Sequence, residues 1–410
     1  MNDWPIAIAH VDGDSFFASC IQSVYPQFRD KPLVVGRERG VATAVSYEAK
    51  NLGVKREMLA CDIKRNFPQV IIFDSDYHLY EAISRKMVAI SRRFSPLVEV
   101  FSVDEVFIDL SMYLDRQEHL QIAKAIQYEI ESSLMIPVSI GVSVNKTLAK
   151  MASSANKPHG YTIVSKKDIE PFLKEQPIDA ICGVGRALNN KFLQYGISTA
   201  YDLYKKPLSV VKLLYNKNIQ KLYFELHGEY RQPVNCDLKD SYQSISTFRT
   251  FPSPTTDKEY ILSRFIHNLN LACFKAYRYK QAPRKVLCFL RLQTMRHIHF
   301  EVRLRSATNL SGDIFKQVRK LLEKLIDSSK LYRQVGVVLT DFVDDSCIQQ
   351  YLFEEHGERS NDLKNSIFSI KEKYGVKSIY WGEEHEFALF QLPTHTKTRV
   401  NDLFVAGSVC

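Results

Sequence analysis

Glycine and proline are sparse in this 410-residue chain, at 16 and 15, and there are only 2 tryptophans. That excludes collagen-like and low-complexity architectures. No stretch approaches the ~18 consecutive apolar residues of a membrane helix. The opening Met-Asn-Asp-Trp-Pro lacks the basic stretch and apolar core of a secretory leader. The 8 cysteines are scattered and form no C-x-x-C pair. This argues against a structural zinc site or a disulfide framework, and leads us to expect a cytoplasmic protein with no membrane partner. We find no internal repeat. What is present is ordinary for a globular protein, 45% hydrophobic and 25% charged, in a chain long enough for roughly two to four domains.

The net charge of +9 is unevenly placed. Residues 244–342 hold 18 Lys and Arg against 7 Asp and Glu, a net of +11, so the rest of the chain carries −2. A basic module on a near-neutral body is the electrostatic footprint of a polyanion binder.

Residues 4–11 form a short apolar run ending at Asp12, which reads as a buried strand delivering an acid to its end. Residues 79–94 and 118–134 read as helices, and residues 138–144 as a strand followed by a helix over 146–154. Val98 to Leu110 forms two β-rich runs flanking Asp104-Glu105. Strands separated by helices predict an α/β or α+β body over residues 1–165. Residues 166–235 are mostly helical, and the polar stretch 236–243 reads as a linker. From 244 to 342 the periodicity predicts β-α-β-β-α-β, a four-stranded sheet with two helices on one face. Ile298, Phe300, Val302 and Leu304 alternate there with charged and histidine residues, so the open face is expected to hold arginines. The remainder, 343–410, is more polar and reads as partly extended.

Asp12-Gly13-Asp14 and Asp104-Glu105 are the strongest catalytic candidates. Carboxylates at strand ends can converge on hard cations such as Mg²⁺, and two such ions can promote phosphoryl transfer. Taken singly, Asp-Gly is also a common turn and Asp-Glu a common solvated pair. The flanks change that balance. Ala9-His10-Val11-Asp12-Gly13-Asp14-Ser15-Phe16-Phe17-Ala18 resembles the first motif of the Y-family translesion DNA polymerases. Val98 to Leu110 resembles their second acidic motif. Ser139 to Ser143, Asn145 to Lys150 and Asn156-Lys157-Pro158-His159-Gly160 resemble the third. The resemblance runs in order through residue 342.

It implies an α+β multidomain fold, a right-hand-like polymerase. The palm would be 1–18 and 79–165, small fingers 19–78, and a helical thumb 166–235. After the linker at 236–243 come a β-α-β-β-α-β little finger at 244–342 and a tail at 343–410. It implies error-prone, template-directed DNA synthesis past lesions from dNTPs, without proofreading, with two Mg²⁺ ions as cofactors. Asp12, Asp104 and Glu105 would bind metal, and Gly13 would lend its carbonyl. Neighbouring side chains on a regular strand face opposite ways, so Asp104 and Glu105 can converge only if the chain bends there. Asp14 is expected to be structural.

By the same resemblance, Phe17 would be the gate whose ring collides with a ribose 2′-hydroxyl, with Phe16 beside it as a nucleotide contact or a core residue. Tyr47, Lys50 and Lys157 would contact the triphosphate. Lys50 stands where one bacterial branch has an arginine. The small residues of 40–46 would leave room over the nascent base pair. Residues 177–186, with Gly183 and Gly185, read as a helix–hairpin–helix whose backbone N–H groups meet phosphates of primer–template DNA. Arg291, Arg296, Arg303 and Arg305 are the expected little-finger contacts.

In the tail, Gln349-Gln350-Tyr351-Leu352-Phe353 resembles a sliding-clamp docking peptide, anchored by Gln349, Leu352 and Phe353. Residues 394–403 resemble the UmuC branch, which would bring a UmuD-like regulatory subunit, whereas Phe16-Phe17 looks more like the DinB branch. The rival readings are a non-catalytic DNA- and clamp-binding subunit and a nucleotide cyclase on a similar palm. Retention of all three acids argues against the first, and the duplex-gripping modules against the second.

Overall fold

The structure is a computed structural model describing residues 6–113, 115–214, 216–237, 241–347, 357–375 and 378–379. The chain divides into two compact units, Met1–Asp237 and Leu238–Cys410.

The first unit begins with strand β1 (Ile8–Gly13), every residue of which is buried, and helix α1 (Phe16–Val24). A small lobe follows. It contains β2 (Leu33–Val35), β3 (Ala44–Val45), α2 (Tyr47–Asn51), α3 (Ala60–Asn66) and β4 (Ile71–Phe73), with the three strands paired β3-β2-β4. The Ser46 side chain accepts from Ala49 N and starts α2 one residue before Tyr47. The chain then returns through α4 (Tyr77–Ser91), β5 (Val98–Val100), β6 (Glu105–Asp109), α5 (Arg116–Leu134), β7 (Val138–Ser143), α6 (Lys146–Ala155) and β8 (Tyr161–Val164). Asp76, Asp115 and Asn145 cap α4, α5 and α6 respectively through their side chains.

These strands form one sheet in the order β5-β6-β1-β7-β8. Its apolar side, with Ala9, Val11, Val106, Ile108, Ile140 and Val142, packs against α4 and α5 residues such as Met87, Ile126 and Ile130. The central strand β1 is therefore fixed on both edges, and its last residues are held in register. Helices α7 (Ile169–Glu175), α8 (Arg186–Gln194), α9 (Ala200–Tyr204), α10 (Leu208–Leu214) and α11 (Lys217–Leu226) complete the unit. They share its apolar core through Phe192, Leu203 and Leu226.

The second unit runs β9 (Ser244–Thr255), α12 (Lys258–Arg278), β10 (Gln281–Leu292), β11 (His297–Arg303), α13 (Ser311–Leu325) and β12 (Tyr332–Asp344), the β-α-β-β-α-β order expected. The antiparallel sheet has the order β11-β10-β12-β9. Val286, Cys288, Leu290, Val335, Val337 and Leu339 face α12 and α13 residues such as Phe265, Leu269 and Val318.

One expectation is corrected here. Residues 357–374, read as part of an extended tail, form helix α14 (Gly357–Tyr374). Lys364, Phe368 and Lys371 recur on one face and are buried. Phe368 packs on Tyr277 and Phe274 of α12, and the Lys364 ammonium lies 3.0 Å from both oxygens of Asp345. Two of those three inward positions are lysines, so no apolar stripe marks the helix in the sequence. The clamp-like segment with Gln349, Leu352 and Phe353, and the UmuC-like segment 394–403, lie outside the described residues.

Candidate active site

Asp12 sits at the end of β1, directly opposite Glu105 on β6 and Ser139 on β7. The chain bends over 102–104 before β6 begins, and Gly13 N donates to the Asp104 carbonyl at 2.8 Å. That bend resolves the alternation problem. The Ser102 hydroxyl reaches Asp104 Oδ1 at 2.5 Å and Glu105 Oε2 at 3.1 Å, so consecutive acids turn to the same side. Ligand atoms of His10, Asp12 and Glu105 all lie within 4.8 Å of one another. Asp12, Gly13, Asp104 and Glu105 line one cavity of about 500 Å³.

Two lysines offset part of this cluster's charge. Lys157 lies 2.5 Å from Asp12 Oδ1, and Lys150 of α6 pairs with Glu105. Burial pushes the Asp12 carboxyl up to about 6; Lys157 opposes the shift and the neighbouring Glu105 and Asp104 add to it. His10 is fully buried, with Nδ1 2.7 Å from Ser153 Oγ and Nε2 3.6 Å from Glu105 Oε1. Burial, then Lys150 and Lys157, hold its pKa well below the ordinary histidine value, so the ring is neutral. The donor set, clustered carboxylate oxygens only partly offset by two ammoniums, suits a hard divalent cation.

The same cavity is walled by Ser15, Phe16, Phe17, Thr43, Ala44, Val45, Tyr47, Lys50 and Arg56. Phe17 stacks on Tyr80 of α4, with ring centroids 4.2 Å apart and 12° between planes. Phe16 is 3% exposed, so its role is largely that of a core residue whose edge reaches the cavity. The Lys50 ammonium lies 2.8 Å from Ser15 Oγ and 4.0 Å from the Tyr47 ring centre. Desolvation, then Lys157 and Arg56, lower its pKa. The Tyr47 phenol is shifted upward by burial and by Asp14 and Asp12. Asp14 is fully buried. Its Oδ2 accepts from Ser139 Oγ at 2.7 Å and from His159 N at 2.9 Å, so it holds the loop that carries Lys157.

Among the expected DNA contacts, Gly183 takes a φ of +96°, open to glycine at no steric cost, and turns the chain into α8. No side chain caps α8 at Gly185, and nothing lies within 4 Å of where a Cβ there would stand. Its first N–H groups therefore have no side-chain cap. The element before the hairpin is a single 3₁₀ turn, Ile178–Ala180, rather than an α-helix. In the second unit two of the four arginines fall on strands. Arg291 and Arg303 stand on the open face, in register with His297 and Lys285. Arg296 lies in the β10–β11 turn and Arg305 just past the end of β11, because the strand stops at Arg303.

Residues 11–154 match the impB/mucB/samB family, and residues 242–352 match that family's C-terminal domain. The chain is 30% identical to DNA polymerase IV of Streptococcus suis (strain 98HAH33) over 349 residues, covering 83% of this chain and 98% of the relative. It is 29% identical to DNA polymerase IV 1 of Bacillus subtilis (strain 168) over 382 residues, 92% of each. A Y-family polymerase chimera of Dbh and Dpo4 superimposes with a TM-score of 0.71 at 26% identity, covering 82% of this chain and 99% of that one. DinB from Sulfolobus solfataricus gives 0.53 at 26% identity, with the same coverage.

The chain belongs to the Y family of DNA polymerases. It is of the DinB type, which decides between the two branches that its sequence resembles. It is a translesion DNA polymerase with palm, fingers, thumb and little-finger architecture.

Several residues of the polymerase's cavity escaped the sequence reading. Ser102 and Lys150 lie inside recognised motifs, but only the folded bend and the α6–β6 contact reveal their partners. Arg56 follows the turn at Gly53 in an exposed loop, where nothing in the local pattern separates it from a solvated charge.

Proposed function

We propose that this polymerase extends primers past damaged template positions with dNTPs and two Mg²⁺ ions, without proofreading. Asp12, Asp104 and Glu105 are the proposed metal ligands, with the Gly13 carbonyl beside them. The observation that carries this reading is the Ser102 bend, which aims Asp104 and Glu105 toward the cavity that Asp12 also lines. When bound, the ions would activate the primer hydroxyl and stabilise the leaving oxygen of an in-line displacement.

The rest of the chemistry is assigned to the chain itself. Lys157, Lys50 and Tyr47 hold the triphosphate and oppose its charge. Phe17, braced by Tyr80, excludes a ribose 2′-hydroxyl. The small wall of Thr43, Ala44 and Val45 leaves room over the nascent pair, which lowers discrimination and admits altered bases. The Gly183–Gly185 hairpin and the little-finger arginines grip primer–template backbone. Domain limits follow the sequence reading, with the palm at 1–18 and 79–165, fingers at 19–78, thumb at 166–235 and little finger at 244–342.

The structural relatives include ternary complexes of Dbh DNA polymerase, which supports primer–template and nucleotide as partners. The 349–353 peptide supports a sliding clamp as a further partner. A cytoplasmic location fits this work; among the described residues no helix is long and apolar enough to cross a membrane. The test is primer extension on intact and lesion-bearing templates by wild type and Asp104→Ala. The wild type extends both and the variant extends neither; equal extension by the variant overturns the metal assignment. A wild type that binds DNA without extending it would favour the non-catalytic subunit instead.

A further inference from the structure

The loop that carries Lys157 is fastened more firmly than a surface connection needs to be. It runs from Asn156 to Gly160, between α6 and β8. Asn156 Nδ2 donates to Thr162 Oγ1 at 2.8 Å, and the His159 N–H donates to Asp14 Oδ2 at 2.9 Å. A Cβ at Gly160 would stand 1.8 Å from the Asn156 carbonyl oxygen, so the loop closes tightly on itself. Those ties belong to the loop's entry and its backbone.

A further tie comes from the His159 ring. Its Nδ1 lies 2.7 Å from Oε1 of Glu131, in the last turn of α5. A carboxylate only accepts, so the ring donates. The same Oε1 accepts from Val138 N at 3.0 Å, at the first residue of β7. Glu131 therefore joins the end of the helix, the start of the strand and the loop. Its side chain is 20% exposed, against 64% for His159.

A ring that exposed adds little to the core. The backbone at His159 has φ +57°, a left-handed conformation that is costly for any residue with a Cβ. An exposed side chain on strained backbone, making one polar contact, is not explained by packing. It does bear on the cavity. His159 stands two residues from Lys157, whose ammonium lies 2.5 Å from Asp12 Oδ1. A lysine charge ends a flexible four-carbon stem, so where it sits depends on how well the backbone beneath it is fixed. Neither His159 nor Glu131 lines the cavity itself.

We propose that the His159–Glu131 pair is a clamp that sets the loop for Lys157, an assignment that rests on Lys157 being a triphosphate contact. Both side chains are then positioning residues, acting through the loop rather than on the nucleotide. With the pair intact, the ammonium is placed in advance and loses less freedom when nucleotide binds. With the pair broken, the loop pivots about the bond from His159 N to Asp14, and Lys157 holds Asp12 less well.

The experiment uses the full chain, with steady-state dNTP kinetics and with Mn²⁺ binding to the nucleotide-free protein read by paramagnetic resonance. His159→Gly removes the ring and accepts φ +57° without strain. Its KM for dNTP should rise about fivefold with kcat within about twofold of wild type, the pattern of a weakened binding contact. Mn²⁺ should bind it more tightly, because Lys157 competes less well for Asp12. His159→Asn sets an amide nitrogen where Nδ1 stood and tolerates the same backbone, so it should keep both wild-type values. Glu131→Ala should reproduce the His159→Gly values, and adding His159→Gly to it should change nothing more, as for one coupled pair. Unchanged KM and Mn²⁺ binding in His159→Gly would show a solvated ring with no hold on the site. Lowered kcat, weaker Mn²⁺ binding and a lower melting temperature in His159→Gly and His159→Asn alike would show general damage to the loop. Both overturn the proposal. Lys157→Met is the separate control. If its KM for dNTP stays at the wild-type value, Lys157 does not hold triphosphate, and the Mn²⁺ measurement alone then decides the clamp.

Discussion

The Lys157 ammonium lies 2.5 Å from Asp12 Oδ1 and 3.7 Å from Asp14 Oδ1. Asp14 Oδ1 is buried and has no hydrogen-bond partner. One cation thus stands between an acid proposed to bind metal and an acid that holds Lys157's own loop. Metal and Lys157 compete for Asp12, whereas triphosphate and Lys157 attract. Lys157→Met should therefore act in opposite senses on two measurements. Mn²⁺ binding to the nucleotide-free protein, read by paramagnetic resonance, should tighten. The KM for dNTP should rise by on the order of tenfold, the scale of one lost charge-assisted hydrogen bond. Changes of the same sign in both would refute the competition.

Phe17 is braced rather than free. Tyr80 lies nearly parallel to it, and Tyr77 meets the same ring edge-on with centroids 6.0 Å apart. Phe17→Ala should raise ribonucleotide incorporation at least roughly tenfold, the effect of relieving a small steric exclusion in a shaped pocket. Tyr80→Ala should give a smaller change in the same direction, because the gate loses its backing. Competing dNTP and rNTP incorporation opposite one template base measures both; unchanged sugar selection in Phe17→Ala would remove Phe17 from the gate.

The Ser102 hydroxyl lies within hydrogen-bond distance of both Asp104 and Glu105 and sits in the bend that lets them converge. Ser102→Ala removes the shared donor without altering either carboxylate. The two charges then repel with less to hold their orientation. Single-turnover extension should slow by roughly tenfold, the weight of a hydrogen bond to a charged group, while DNA affinity stays the same. Ser102→Thr keeps the hydroxyl and should recover most of the rate. An unaffected Ser102→Ala would show that the backbone bend alone sets the geometry.

The parts of this site that were legible in sequence are those encoded locally. The apolar run into Asp12, the alternation over 298–304 and the Gly-Val-Gly hairpin each predict their own element. The need for a bend at Asp104-Glu105 was also legible, since strand alternation forbids both side chains on one face. Cross-strand partners were not. Lys150 meets Glu105 and Lys157 meets Asp12 only because α6 and the 156–160 loop fold back on β1 and β6. Arg305 was read as continuing the alternating strand, but β11 stops at Arg303, because the position of a strand end is set by hydrogen bonding to β10, which alternation does not report. Helix α14 was missed because its buried face uses Lys364 and Lys371, whose apolar stems and paired ends imitate a solvated pattern.

Glu225 of α11 offers a test that is separate from the metal site. It is 1% exposed, and its Oε2 accepts from Thr147 at the start of α6. Its Oε1 has no partner, while Asn145 Nδ2 donates to its backbone carbonyl at 2.7 Å. Burial raises its pKa above the ordinary glutamate value of 4.5, opposed by the Thr147 hydrogen bond and by Lys146. A carboxyl raised on folding stabilises the fold fully below its unfolded pKa, and that contribution is lost as pH climbs through the folded value. Glu225→Gln keeps the acceptor for Thr147 and removes the charge. Its melting temperature should match the wild type near pH 4 and exceed it at pH 8. The expected excess is roughly 2–4 °C, the shift that about 1 kcal/mol produces in a unit of this size. A gap that is constant across pH, or that favours the wild type at pH 8, would mean that the ionised Glu225 is satisfied where it lies and that the thumb–palm contact gains from its charge.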